Sequence, residues 1–114
     1  MEPTTIKINE VEYVRKDTVQ VGSLSKIEDV TGFVGRAFFF RTVTYHLTGR
    51  VTKVIGDNLL VLEDAAWIAN SGRFRTALKD GLLDEVEPVG EAIINLSTVT
   101  DMFPWSHPLP TVQK

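Results

Sequence analysis

A chain of 114 residues, 43% hydrophobic and 24% charged, is the length of one domain, able to bury roughly 65% of the surface its unfolded form exposes. Its net charge of −3 supplies no global field toward nucleic acid or an anionic membrane, so nucleic acid is not an expected partner. Cysteine is absent, which excludes disulfides, thiolate catalysis and Cys-ligated zinc. The opening residues lack a basic and an apolar signal region, and no apolar run approaches the ~20 residues that cross a bilayer. The expectation is a cytoplasmic protein with no membrane partner.

Residues 4–14 alternate apolar and polar, with Ile6, Ile8, Val11 and Tyr13 around Asn9-Glu10. That pattern predicts a hairpin within 1–17. Residues 18–35 carry Gly22, Gly32 and Gly35 among polar residues and read as a linker. A main β body follows over 36–97. Residues 36–47 hold Phe38, Phe39, Phe40, Thr42, Val43, Thr44 and Tyr45, aromatic and β-branched residues that favour a pleated surface. Read as one strand, they place Arg41 and Tyr45 on a single face. Gly49 predicts a bend or bulge before a strand at 50–55. Gly56-Asp57-Asn58 then turns the chain into 59–63, whose continuous apolar run predicts a strand covered on both sides by a helix or a second copy.

Ser71 is the expected cap of a helix at about 72–80, with Phe74, Ala77 and Leu78 on one face and Gly81 ending it. Residues 85–89 and 91–96 read as two strands around Pro88 and Gly90. Residues 98–114, with Phe103-Pro104-Trp105 and further prolines, read as an extended tail. The expected fold is α+β, mostly β: a small bent sheet or partly open barrel of about six or seven strands with one short helix.

Arg73 and Arg75 sit in the first turn of that helix and Asp80 near its end, against the helix dipole. Such placement fits a salt bridge, for instance to Asp64, or an anionic ligand. The expected ligand-binding set is therefore Ser71 and Arg73 with Trp67 as a stacking face, joined by Arg41 and Tyr45 and flanked by Arg50. Leu60, Leu62, Phe103 and Trp105 are the expected interface residues between copies of the chain. His46 and His107 lack the spacing of metal ligands, and neither a GxSxG elbow nor a phosphate-binding glycine loop is present. No catalytic residue, metal or cofactor is expected, and the chain is not expected to be an enzyme.

Two resemblances add to this. Ile6-Lys7-Ile8-Asn9-Glu10-Val11-Glu12-Tyr13-Val14-Arg15-Lys16-Asp17 resembles the N-terminal hairpin of a family of small phage and prophage proteins that has no established activity. The likeness continues through Arg41-Thr42, the tryptophan of Ala65-Ala66-Trp67-Ile68-Ala69, Glu85-Val86-Glu87 and Trp105, and departs at the helix start. It implies a non-enzymatic homo-oligomeric accessory protein in a bacterial host cell, binding a small anionic or nucleotide ligand, for example to counter host defence. Separately, GRVTKVIGDNLLVLEDA at 49–65 is similar to the first motif of the Sm-like RNA-binding ring proteins. Their second motif, an arginine-glycine RNA loop, is missing. The alternatives are thus an Sm-like single-stranded nucleic-acid binder, or an interaction module docking on a partner protein through its aromatic tail.

Overall fold

The computed structural model describes residues 6–8, 11–13 and 24–114. Strands β1 (Ile6–Ile8) and β2 (Val11–Tyr13) pair antiparallel, with Ile6 opposite Tyr13 and Ile8 opposite Val11. The expected Asn9-Glu10 turn and the first part of the expected linker, 18–23, lie outside the described residues.

The main sheet comprises β3 (Ala37–Thr42), β4 (His46–Ile55), β5 (Leu59–Asn70), β6 (Glu85–Asn95) and β7 (Val99–Pro104), in the antiparallel order β6-β5-β4-β3-β7. Helix α1 (Phe74–Asp80) joins β5 to β6. The result is a mostly β fold with one short α-helix among the described residues; its main sheet is an open one of five strands, with β1 and β2 paired apart from it, where a single bent sheet or partly open barrel of about six or seven strands was expected. Three element boundaries fall elsewhere than expected. The 36–47 segment is interrupted: β3 ends at Thr42, whose hydroxyl donates to the Tyr45 carbonyl (2.9 Å) and accepts from the Tyr45 N–H (3.0 Å). A threonine side chain makes this turn without glycine, proline or asparagine. Conversely, 85–95 is a single strand, because Gly90 at φ 83° and a register shift opposite Ala65 and Ala66 absorb the kink. Pro88 is tolerated there because β6 is an edge strand.

The third boundary is the C-terminal tail. Residues 99–104 form β7 against β3, with Phe39 opposite Phe103 and Arg41 opposite Asp101. Its prolines mask it in the sequence, yet Pro104 sits at the strand end, where no further ladder donor is required.

The sheet must curl. Laid flat, five strands would separate β6 from β7 by about 19 Å. The chain crosses between them in the single 3-10 turn Leu96–Thr98, and the four steps from Asn95 to Val99 reach at most about 14 Å. The bend runs across three adjacent strands. Gly49 lies at a register shift in β4, Asp64 takes φ 50° at a shift in β5, and Gly90 marks one in β6. A Cβ on Gly49 would lie 3.0 Å from Leu62, so the strands come close there.

Curling produces two cores, one on each face. Phe38, Phe40, Leu47, Val51, Leu60, Leu62, Ala65 and Ile94 fill the concave side, joined by Val30 and Phe33 from a 3-10 turn (Val30–Phe33). Part of the expected linker therefore packs on the core. Phe39, Ala66, Ile68, Val86 and Trp105 form the other core, covered by Ala77, Phe74 and Leu78 of α1 and by Leu109. The run at 59–63, expected to be covered on both sides, is buried on one: Leu60 and Leu62 enter the concave core while Leu59 and Val61 are only half-buried, and α1 covers β5 farther along, at Ala66 and Ile68.

Trp105 begins a strap across that outer face. Its indole N–H donates to the Pro108 carbonyl (3.3 Å), and His107 Nε2 lies 2.7 Å from the Leu78 carbonyl at the end of α1. The strap finishes at the opposite edge of the sheet, where Lys114 and Val86 exchange two backbone hydrogen bonds of 2.9 Å.

Candidate nucleic-acid interface

The β3–β4 turn, the Leu96–Thr98 turn and the start of β7 meet at one end of the curled sheet and enclose an open cavity of about 470 Å³, lined by residues 42–45 and 97–100. Six of the eight lining residues carry hydroxyls, Thr42, Thr44, Tyr45, Ser97, Thr98 and Thr100; the other two are Val43 and Val99, and none is charged. Hydroxyls both donate and accept, so such a lining suits mixed donor–acceptor edges. The cavity is held in shape by its neighbours. Asn95 caps the 3-10 turn by accepting from the Ser97 N–H (2.9 Å), and the Thr98 hydroxyl donates to the Asn95 carbonyl (2.8 Å). Asn58 of the β4–β5 turn braces the same corner. Its carbonyl accepts from the Leu96 N–H (2.7 Å) and its amide donates to the Ser97 hydroxyl (3.4 Å).

Tyr45 stands on the rim, 38% exposed. Trp67, 40% exposed, lies on β5 directly opposite Leu47, two residues along the chain from Tyr45. The register thus sets the β5 segment carrying Trp67 beside the strand that Tyr45 leads into, although the two residues are far apart in sequence.

Arg41 is not with them. The turn at 43–45 breaks the strand alternation that placed Arg41 and Tyr45 on one face, and Arg41 pairs instead with His46 and Asp101 on the neighbouring strands. Its guanidinium makes a two-pronged contact with Asp101, Nε to Oδ1 at 2.7 Å and Nη2 to Oδ2 at 2.6 Å, and lies over the Phe74 and Phe103 rings at 4.7 and 5.5 Å. The hydrogen bonds from Arg41 hold the Asp101 carboxyl below its ordinary range, and the same bonds raise Arg41. His46 lies tilted against the Phe39 ring and is pushed below the usual imidazole range by burial first and by the Arg41 charge second, partly offset by Asp101. This cation already has its anion, and no charge is left over for a ligand.

The remaining expected residues scatter. Helix α1 starts at Phe74, with Arg73 as an N-cap that makes no side-chain cap bond. Ser71 does not cap it: Asn70 Oδ1 accepts from the Gly72 N–H (2.8 Å), and Gly72 at φ 69° carries the bend. Asp64 pairs with Arg50 (3.3 Å), as does Glu63 (2.8 Å), rather than with Arg73. Among the expected interface residues, Leu60, Leu62 and Trp105 are buried within the chain's own cores, and Phe103 is half-buried beside Phe74. A buried aliphatic or tryptophan reads the same in sequence whether its cover is a partner or the same chain. Reading by motif passes over Thr42, Ser97, Thr100 and Asn58 in turn. Their one signal is the dense Ser-Thr-Val-Thr run at 97–100.

No family model matches the chain, and no curated protein matches it. Solved structures of similar fold include a heptameric archaeal Sm protein, 19% identical, covering 66% of this chain and 93% of its own, with a TM-score of 0.46. The P. aerophilum SmAP1 heptamer, also 19% identical, covers 66% and 85% at a TM-score of 0.46. A Pyrococcus abyssii Sm protein in complex with a uridine heptamer, 19% identical, covers 66% and 90% at 0.44. Two expectations are corrected here. Against a phage-type accessory protein holding a small anion, the similar structures are Sm proteins, and Arg41, Ser71 and Arg73 do not converge on an anion site. Against nucleic acid as an unexpected partner, one of those Sm proteins is bound to uridine heptamer. Net charge gives no account of a local surface such as the Tyr45 rim.

Proposed function

We propose that the protein is a non-catalytic, self-associating domain that binds single-stranded nucleic acid at the hydroxyl-lined mouth around Tyr45. The observation that carries this reading is an exposed tyrosine on the rim of a braced polar cavity, with an exposed tryptophan on the adjoining strand. Every base offers a π-face, so exposed aromatic rings accept splayed bases whatever their identity, at about 1–3 kcal/mol per stacked base. The surrounding threonines and serine meet base edges and sugar hydroxyls, which are themselves donors and acceptors. Self-association is supported by the two different edge strands, β6 and β7. Pairing one with the other is a head-to-tail contact that forms a ring when the rotation closes.

The uridine heptamer bound by the Pyrococcus abyssii Sm protein is the natural first probe. Fluorescence anisotropy with a labelled uridine heptamer is expected to show saturable binding. The cavity lining is uncharged, so the affinity should fall only gently with salt. Tyr45→Ala should weaken binding by roughly 5- to 150-fold, the equivalent of one lost stack. Absence of binding at low salt, or a Tyr45→Ala variant that binds like the parent chain, would sink the proposal.

A further inference from the structure

We propose that the end of the C-terminal strap is a guard strand that occupies part of the β6 edge and thereby limits how much of it a second copy of this chain can pair with. The proposal rests on the self-association reading above and concerns its control.

β6 is an edge strand, so its outer side has no strand of the main sheet to pair with. Two features block the first part of that side. The Lys114 N–H donates to the Val86 carbonyl and the Val86 N–H donates to the Lys114 carbonyl, both at 2.9 Å, so one narrow antiparallel pair is already taken. Two residues on, Pro88 has no N–H to offer. Beyond it no described residue pairs with the edge, and Val89 and Ile93 are 52% and 59% exposed, apolar residues on an open strand. The guard thus divides β6 into a covered part at 85–88 and an open part at 89–95.

The strap is anchored firmly at its start and lightly at its end. Trp105 is buried and His107 is hydrogen-bonded at the end of α1. Farther on, Pro110 and Thr111 line a cavity of about 200 Å³ shared with Asp64, Ala65, Pro88 and Gly90, so the strap is not packed tightly against the sheet there. Val112 is 74% exposed and the last residues are all exposed. The end is held chiefly by two backbone bonds, the kind of segment that opens locally while the domain stays folded. When it opens, the Val86 edge and the surface around the cavity become available to a neighbouring strand.

The test compares three forms by sedimentation velocity over a concentration series: the full chain, a variant lacking residues 111–114, and a locked form carrying Val86→Cys and Lys114→Cys. Directly paired strand positions are about 5.5 Å apart, within disulfide range. Truncation is expected to raise the weight-average mass at a fixed concentration by roughly twofold or more, and the oxidised lock to suppress association relative to the same protein reduced. The reduced and oxidised lock share one sequence, so the comparison holds even if the truncated chain folds poorly. Coincident distributions for all forms overturn the guard. If these coincident forms are oligomeric, self-association stands without it; if all are monomeric, both readings fall. A monomeric full chain whose truncated form assembles supports the guard and overturns self-association of the full chain.

Discussion

Phe38 and Phe40 point into a core that the curled sheet makes largely from itself, whereas Phe39, between them, is covered by α1 and by the strap from Trp105 onward. The concave core unites residues of β3, β4, β5 and β6, and its closure follows from the bend through Gly49, Asp64 and Gly90. The outer core depends on two elements laid over the sheet, one a helix of seven residues and the other with no regular structure after β7. Alternate residues of one strand therefore sit in regions of different origin. The concave side is expected to set global stability. The outer side is expected to open piecewise, since short overlying segments have few contacts of their own to lose.

The largest effect belongs to the concave side. Phe40→Ala removes a fully buried ring and should lower unfolding free energy by about 3–5 kcal/mol in denaturant titration. Trp105→Ala also removes a buried ring, but part of the loss is local release of the strap, so about 3 kcal/mol is expected. Its signature is faster proteolysis beyond residue 105 while amide exchange in β4 and β5 remains slow. Equal collapse of both regions in that variant would erase the distinction between them.

A smaller change tests the junction of helix and strap. Gly81 has φ 73°, and a Cβ there would lie 2.7 Å from the His107 ring. Gly81→Ala should cost about 1–2 kcal/mol and shift His107 in NMR spectra, whereas an unperturbed His107 would mean the strap seats independently of the helix end.

The smallest expected effect is on pH dependence. His46 has a folded-state pKa lowered by burial and by Arg41, so the unfolded chain takes up its proton first as pH falls. The stabilisation is complete above about pH 6.5 and is lost as pH drops through the lower folded value. Thermal melts should weaken below that point, and His46→Gln should flatten the slope there. Asp101, also lowered, adds its own loss only in the acid range below the usual carboxylate values. A parent chain whose melting temperature is level between pH 7 and 5 would count against the His46 account.

Much of the sheet was legible in the sequence because its signals are local. The Gly56-Asp57-Asn58 turn, the apolar run beginning at Leu59 and the left-handed Gly81 at the end of α1 each follow from a few adjacent residues. The turn at Thr42–Tyr45 was not legible, since it depends on one threonine hydroxyl bonding back to the chain instead of pointing outward. Nor was β7, whose proline and tryptophan suit an extended tail equally well until β3 offers a partner. The Tyr45 mouth lies across both of these boundaries, which is why its hydroxyl residues carried no motif.

Composition and order of residues by themselves determined a mostly β chain with a short helix, a bend near Gly49 and a set of arginines in unusual places. Only the tertiary structure decided what those arginines face. Arg41 and Asp101 are sixty positions apart, and whether a cation is spent on a carboxylate or left for a ligand depends on which strands are neighbours. The same holds for Leu60, Leu62 and Trp105, whose burial is a property of the curled sheet and its strap. Periodicity records that a side chain avoids water, and the chain's path in space selects what replaces the water.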